Sequence, residues 1–256
     1  MFNHLNLKNG KNLVCDKTFH PDMLMDVAVY VLEKDEKLEI YSEDKENAIL
    51  LLTGKGYYNY EGNSVKVSRS DVFGEKPYCL HVSKNTKVVV EANEYTEILV
   101  QSKENENDFE SVMYTPENSH EVIAGVEEYE GTSKRIIRTI FDYSTAPYSN
   151  MVIGEVISFT GRWNSYPPHH HPQPEVYFYK FNHPAGFGVS IIDDNAEVVR
   201  NNSASYIPGG VVHPQATAPG YRMYYVWMIP HFENKPWTER IFAEEHKWLV
   251  GATKYK

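Results

Sequence analysis

Residues 48–73 read AILLLTGKGYYNYEGNSVKVSRSDVF, in which short apolar or alternating runs are separated by glycines. Aromatic and β-branched residues favour strands, and glycine favours the tight turns that join them. We therefore interpret this stretch as consecutive β-hairpins, with turns marked by Gly54, Gly56, Gly62 and Asn63.

Runs of the same kind occupy most of the sequence, in two sets divided by a polar and acidic passage from Ser102 to Gly131. Many short strands with Gly and Pro turns are typical of a sandwich, a barrel or a double-stranded β-helix. We expect an all-β protein with two domains, residues 1–132 and 133–256. The tail NKPWTERIFAEEHKWLVG, from Asn234, predicts one amphipathic helix, with Pro236 near its start and Gly251 after its end.

The composition excludes several classes of protein. Among 256 residues, Lys and Arg number 25 and Asp and Glu number 35, so the net charge is −10. Such a charge disfavours binding to nucleic acid or to an anionic membrane surface. Two cysteines, Cys15 and Cys79, are too few for a disulfide scaffold or a thiolate zinc site. The N-terminal residues lack the pattern of a signal peptide, and no apolar run approaches the ~20 residues of a membrane span, so we expect a cytoplasmic protein.

The segment with the clearest chemistry is residues 166–180, YPPHHHPQPEVYFYK. Side chains alternate between the two faces of an extended chain, so His169, His171 and Glu175 share one face while His170 points away. Prolines 172 and 174 are expected to interrupt the strand. Two imidazoles and a carboxylate form most of a site for Zn, Mn, Fe or Ni.

A fourth ligand has to come from another strand, and His213 is the candidate. It lies in IPGGVVHP, after a Pro-Gly-Gly turn where the return of a hairpin would place it. A His triplet is also typical of a metal-binding surface loop or a tag, and a single histidine is usually solvated or satisfied in a core. The internal position of the triplet and the Glu that follows favour one bound divalent metal ion.

These motifs resemble the metal motifs of the cupin superfamily, namely HxH, a Glu after three further residues, and a later PG…H segment. The surrounding sequence resembles the 5-deoxy-glucuronate isomerase family of inositol catabolism, in VIGEV (152–156), GRWNSYPPHHH (161–171), EVYFY (175–179) and HPQATAPGYRMYY (213–225). SDVF (70–73), Pro77 and LHV (80–82) resemble the first barrel of that family, which lacks the ligand set. The resemblance covers residues 26 to 232 and implies two tandem cupin barrels, with the metal in the second and a short helix at the C-terminus.

The resemblance implies aldose–ketose isomerisation of a small uronate, from 5-deoxy-D-glucuronate to 2-deoxy-5-keto-D-gluconate. The ion would act as a Lewis acid, and a side chain would move a proton between adjacent carbons. The candidates for that side chain are Glu155, Tyr177 and Tyr179; the tyrosines also fit barrel packing, and Glu155 also fits a role in orienting a ligand. The candidates for binding the substrate carboxylate, each of which also fits a surface or structural charge, are Arg222, Arg138 and Arg162.

Other functions remain open at this point. One is the related isomerase of pectin-derived 4-deoxy-5-keto-uronates. Arg162 and Asn164 differ from the residues expected beside the Trp in the 5-deoxy-glucuronate isomerase family, and this difference concerns the identity of the substrate more than the metal. Another is a non-catalytic sugar-binding or regulatory cupin, which would show no turnover. A third is a metal-dependent dioxygenase, which would consume oxygen. Strand edges in cupins often pair between subunits, so a homo-oligomer of unspecified size is also compatible with the sequence.

Overall fold

Short β-strands dominate the chain, as predicted, in the computed structural model, which describes residues 1–251. The helical segments in this range are 3-10 turns at Pro21–Met23, Glu128–Gly131 and Glu244–Leu249, and no described helix is long and apolar enough to cross a membrane. The strands are β1 Phe2–His4, β2 Gly10–Cys15, β3 Asp26–Leu32, β4 Lys37–Ile40, β5 Lys45–Tyr60, β6 Asn63–Arg69, β7 Cys79–Val82, β8 Val88–Ala92, β9 Thr96–Glu104, β10 Val112–Tyr114, β11 His120–Ala124, β12 Arg135–Phe141, β13 Met151–Ser158, β14 Trp163–Asn164, β15 His169–His170, β16 Glu175–Phe181, β17 Phe187–Ile192, β18 Asn195–Arg200, β19 Ser203–Ile207, β20 Gln215–Thr217, β21 Met223–Pro230 and β22 Ile241–Phe242.

The chain divides into two units whose bounds differ from the predicted 1–132 and 133–256. The N-terminal unit comprises residues 6–119 and 142–151, and the C-terminal unit comprises residues 1–5, 120–141 and 152 onward. Strand pairing explains the difference, because β1 pairs antiparallel with β19 and β11 pairs antiparallel with β12. Closure of each unit into a barrel stays a prediction.

The N-terminal unit is one branched nine-stranded sheet, and its longest strand corrects the hairpin prediction. β5 runs unbroken through Gly54 and Gly56, so the turns predicted at these glycines are wrong; the turn to β6 lies at Glu61–Gly62. The first part of β5 pairs with β7 and β9, and the second part pairs with β6 and β8. A Cβ on Gly56 would lie 1.9 Å from the carbonyl oxygen of Glu91 on β8. This glycine therefore permits close approach of two backbones rather than a turn.

The C-terminal unit contains a seven-stranded sheet in the order β1-β19-β16-β21-β13-β12-β11 and a four-stranded sheet in the order β14-β20-β17-β18. Both sheets contribute to one apolar core. Tyr177, Tyr225 and Trp227 of the larger sheet share that core with Ile192 and Val199 of the smaller sheet. β16 pairs with β19 on one side and with β21 on the other, so Glu175 and Tyr177 lie on a central strand of the larger sheet.

The C-terminal tail forms a helix only at Glu244–Leu249, so the expectation that the helix begins near Asn234 is wrong. Backbone groups in the preceding segment have other partners. The Trp237 N–H donates to Nδ1 of His231 at 2.9 Å, and β22 pairs with β15. The segment 235–243 is therefore an extended strap along β15 rather than a helix on a sheet. Residues 252–256, at the end of the predicted tail, lie outside the described residues.

Candidate metal centre and cavity

Three predicted ligands are histidines whose rings are oriented by backbone carbonyls. Each Nδ1 lies at hydrogen-bond distance from the carbonyl oxygen of a residue two positions away. The pairs are His169 with Pro167 at 2.8 Å, His171 with Gln173 at 2.9 Å, and His213 with Val211 at 2.8 Å. Because a carbonyl oxygen only accepts, each Nδ1 carries the proton, and in the neutral ring each Nε2 keeps a lone pair.

The predicted ligands from the two separate stretches meet at Glu175. Nε2 of His171 lies 3.2 Å, and Nε2 of His213 lies 3.1 Å, from Oε2 of Glu175. One ligand atom from each of these three buried residues lies within 4.8 Å of the others. His169 is not in that group, but its ring centroid lies 5.2 Å from that of His213. Two ring nitrogens and a carboxylate oxygen that converge in this way can bind one cation together.

Prolines and glycines in the sequence account for this convergence. β15 ends at His170 and β16 begins at Glu175, so the strand is interrupted at the prolines as expected. The turn of residues 208–210 then packs against this interruption, where Gly210 N–H donates to the His171 carbonyl at 2.7 Å. A Cβ on Gly209 would lie 2.0 Å from the Pro172 carbonyl oxygen. Only glycine permits this approach, which brings His213 to Glu175.

The charges in the cluster match those of metal ligands. Burial raises the pKa of Glu175, but its contacts with His171 and His213 outweigh burial and lower the pKa to about 2. Burial lowers the pKa of His169 to about 3, and the neighbouring His213 adds to that effect. At neutral pH the carboxyl group is therefore ionised and the His169 ring is neutral, which are the forms that bind metal.

The cluster borders a cavity of about 390 Å³ in the C-terminal unit. Tyr177 reaches it beside the ligands, and its hydroxyl donates to Oε2 of Glu175 at 3.1 Å and lies 3.1 Å from Oγ of Ser165. Burial raises the pKa of Tyr177 well above the usual value, so this hydroxyl keeps its proton at neutral pH. The lining residues are Arg135, Ile137, Thr139, Val156, Ser165, His169, His171, Glu175, Tyr177, Tyr225, Trp227, Ile229, Trp237, Thr238, Glu239, Arg240 and Phe242.

The other two predicted catalytic residues do not line this cavity. Val156 does, so the adjacent Glu155 points to the opposite face of β13. Its Oε1 accepts a hydrogen bond of 2.7 Å from the Tyr224 hydroxyl. Tyr179 shares the face of Tyr177, but its hydroxyl donates to Oε1 of Gln215 at 2.6 Å, deep in the core. Of the three candidates, the structure brings only Tyr177 to the cavity.

The three predicted carboxylate-binding arginines also lie away from the cavity lining. Arg138 forms ion pairs with Glu121 at 2.8 Å and with Glu155 at 3.4 Å. The guanidinium of Arg222 lies over the Phe159 ring, 5.2 Å from its centroid. Arg162 is half-buried and is not a lining residue. The cations that do line the cavity, Arg135 and Arg240, were not singled out from the sequence.

Strand alternation was the signal that could have identified several of the missed residues. Arg135, Ile137 and Thr139 alternate along β12 and all face the cavity. Tyr225 and Trp227 do the same on β21, where Trp227 pairs with Tyr177. Strand alternation does not apply to Arg240 and Trp237, because the sequence predicts a helix in their segment.

Solved structures confirm the cupin fold. The chain is similar to an IolB-like protein from Salmonella typhimurium LT2, with a TM-score of 0.88 and 19% identity over 97% of this chain and 98% of that one. It is also similar to a cupin 2 conserved barrel domain protein from Leptotrichia buccalis, with a TM-score of 0.53 and 14% identity over 88% and 92% of the two chains.

Sequence comparison confirms the predicted family. The chain is 30% identical over 251 residues to a 5-deoxy-glucuronate isomerase from Geobacillus kaustophilus (strain HTA426), covering 87% of this chain and 84% of the relative. This relative and its homologues confirm the prediction of an isomerase, which is an intramolecular oxidoreductase. The profile of the KduI/IolB family matches residues 3–249. The chain belongs to the KduI/IolB family.

Proposed function

We propose that this protein is a metal-dependent isomerase that converts 5-deoxy-D-glucuronate to 2-deoxy-5-keto-D-gluconate in myo-inositol catabolism. The observation that carries the proposal is the meeting of His171, Glu175 and His213 beside a cavity of about 390 Å³, which has room for a small sugar acid. Relatives named 5-deoxy-glucuronate isomerase support the choice of substrate.

The residues that would hold the metal are His169, His171, Glu175 and His213. The donor set fits a divalent ion, since the Nδ1 bonds direct the lone pairs of Nε2 away from the backbone and Glu175 is ionised. Imidazole and carboxylate ligands are compatible with Zn, Mn, Fe or Ni. When bound, such an ion would supply Lewis-acid polarisation of the substrate carbonyl group.

Tyr177 is the residue we assign to proton transfer. Its hydroxyl faces the cavity, donates to Glu175 Oε2, and lies within hydrogen-bond distance of Ser165. Isomerisation removes a proton from one carbon and adds a proton to its neighbour through an enediol. The protonated Tyr177 hydroxyl suits the second step, as the donor, and the Glu239 side chain, which lines the same cavity, can accept the proton that leaves carbon in the first. The indole of Trp227 and the side chain of Ile137 line the same cavity and make part of its wall apolar.

The decisive experiment is an assay of the purified protein, metal-loaded and chelator-treated, on 5-deoxy-D-glucuronate and on 4-deoxy-5-keto-uronate. We expect turnover of the first substrate that is lost with chelator and restored by divalent metal. Turnover of the pectin-derived uronate alone would assign the other isomerase activity. If the metal-loaded protein converts neither substrate, both isomerase activities are rejected. Oxygen consumption with substrate would assign a dioxygenase. Sugar binding without turnover would assign a non-catalytic cupin.

We also propose that the protein acts in the cytoplasm and forms a homo-oligomer through strand edges. Light scattering of the eluted protein during size-exclusion chromatography measures the molar mass in solution. A mass that is a multiple of 29.5 kDa supports the oligomer, and a mass of one chain rejects it.

A further inference from the structure

Two arginines from distant parts of the chain line the cavity. Arg135 begins β12, and Arg240 immediately precedes β22 in the C-terminal strap. The net charge of the protein is −10, so two positively charged side chains at one cavity are an unusual concentration of positive charge. The proposed substrate carries a carboxylate at one end, which could bind them.

Arg135 is buried, and no carboxylate among residues 1–251 lies within ion-pair distance of it. Its Nη1 donates to the Ser133 carbonyl oxygen at 2.8 Å and its Nη2 donates to the Tyr166 carbonyl oxygen at 3.3 Å. These bonds hold the guanidinium and leave further N–H groups available. Within residues 1–251 it forms no ion pair, although its exposed fraction is 7%. A buried charge without a counter-ion costs free energy, which binding of an anion would offset.

Arg240 increases that cost. Burial lowers the pKa of Arg135, the positive charge of Arg240 lowers it further, and the negative charge of Glu128 opposes this fall. Arg240 likewise has no ion pair in the described part of the chain. Glu239 also lines the cavity, but it lies within ion-pair distance of neither arginine. The pair therefore remains available to an anion from outside the chain.

Two tryptophans, Trp227 and Trp237, form part of the cavity wall. The indole N–H groups of Trp227 and Trp237 are buried and have no hydrogen-bond partner among residues 1–251. Their ring centroids lie 5.7 Å apart, and Trp237 also lies 6.1 Å from the ring of His171. Because these nitrogens have almost no accessible surface, the two indoles form a close-packed wall beside the arginines rather than donors to a ligand.

We propose that Arg135 and Arg240 bind the carboxylate of the substrate, beside an apolar wall formed by Trp227 and Trp237. This inference rests on the proposed function and adds its carboxylate subsite. Guanidinium groups suit the site because they bind a carboxylate through paired hydrogen bonds. The arrangement selects sugar acids over neutral sugars and holds the reacting end of the substrate at the His and Glu ligands.

The test compares Arg135→Met and Arg240→Met with the control Arg200→Met, an exposed position on β18 outside the cavity. Thermal unfolding of the metal-loaded protein is measured with D-glucuronate and with D-glucose, and KM and kcat are measured with 5-deoxy-D-glucuronate. We expect D-glucuronate alone to raise the Tm of the wild type and of Arg200→Met. Each cavity variant should lose that shift and show a KM about 10- to 100-fold higher, with a smaller change in kcat.

The outcomes separate this inference from the proposed function. Loss of the D-glucuronate shift in the cavity variants, with no turnover by the wild type, would support the carboxylate subsite and reject the isomerase. Normal turnover by the wild type with an unchanged KM in Arg240→Met would reject the subsite alone. Equal shifts with D-glucuronate and D-glucose in the wild type would also reject it. Arg240 is exposed, so its variant keeps the test valid if Arg135→Met fails to fold.

Discussion

The Nε2 atom of His213 lies 3.1 Å from Oε2 of Glu175, although the two residues come from different segments of the chain. Glu175 begins β16, whereas His213 lies in the loop between β19 and β20. Their proximity depends on antiparallel pairing of β16 with β19, in which Glu175 lies opposite Ile207. The pairing of two strands therefore completes the candidate metal centre.

The first prediction separates a ligand from its neighbour in the chain. His171→Ala should lower metal affinity at least about tenfold and lower activity with it, because it removes one donor of the cluster. His170→Ala should leave both largely intact, since His170 does not line the cavity. The metal-to-protein ratio after dialysis, measured by elemental analysis, checks this. If His170 is the essential residue, the alternation argument is wrong.

The second prediction concerns the close approach at Gly209. Gly209→Ala should destabilise the protein by about 1–3 kcal/mol and reduce metal content, because the added Cβ overlaps the Pro172 carbonyl oxygen and displaces the loop that holds His213. The control is Gly74→Ala, where the nearest atom to the added Cβ is a side-chain oxygen at 3.5 Å. Urea unfolding and elemental analysis measure the two effects. Unchanged metal content in Gly209→Ala would contradict this account of the centre.

The third prediction distinguishes the two tyrosines on one face of β16. Tyr177→Phe should lower kcat about 100-fold or more while the protein still binds metal, because it removes the proposed proton donor. Tyr179→Phe should lower stability by about 1 kcal/mol with little change in kcat, since its hydroxyl bonds only within the core. Steady-state kinetics with parallel metal analysis checks both. Equal kcat in the two variants would reject a role for Tyr177 in proton transfer.

The fourth prediction is loss of stability of the metal-free protein in acid. The native pKa of His169, lowered by burial to about 3, lies below its unfolded value of 6.5, so between these pH values only the unfolded state binds the proton. The free energy of unfolding should therefore fall as the pH falls through this window, by at most about 1.4 kcal/mol per pH unit. Burial raises the pKa of Glu175, but its contacts with His171 and His213 lower it from 4.5 to about 2, which adds a loss of the same sign between about pH 4.5 and about pH 2.

Denaturant unfolding of the metal-free protein at about pH 7 and about pH 5 measures this effect. His169→Asn should reduce the difference between the two values, because it removes the titrating ring. His120→Asn is the control, since it removes an exposed histidine on β11. A pH dependence that is the same in His169→Asn and in the wild type would contradict the assignment to His169.

The predicted and observed strands agree where the pattern is local. The short runs of β-branched and aromatic residues in DVAVYVLE and EVYFYKFN predicted β3 and β16, and both strands are buried along most of their length. The two interpretations that failed involve residues with more than one structural use. Gly56 permits close packing of β5 on β8 within a strand, and Pro236 precedes an extended strap rather than a helix.

The sequence by itself determined the family, the all-β class and the set of candidate metal ligands, because motif spacing and side-chain period are properties of neighbouring residues. Only the tertiary structure decided which face of β12 borders the cavity. Arg138 and Arg135 lie on the same strand, yet one is paired with glutamates and the other lines the cavity. The reason is that the face of a strand and the partner of a charge depend on pairing between segments far apart in the chain.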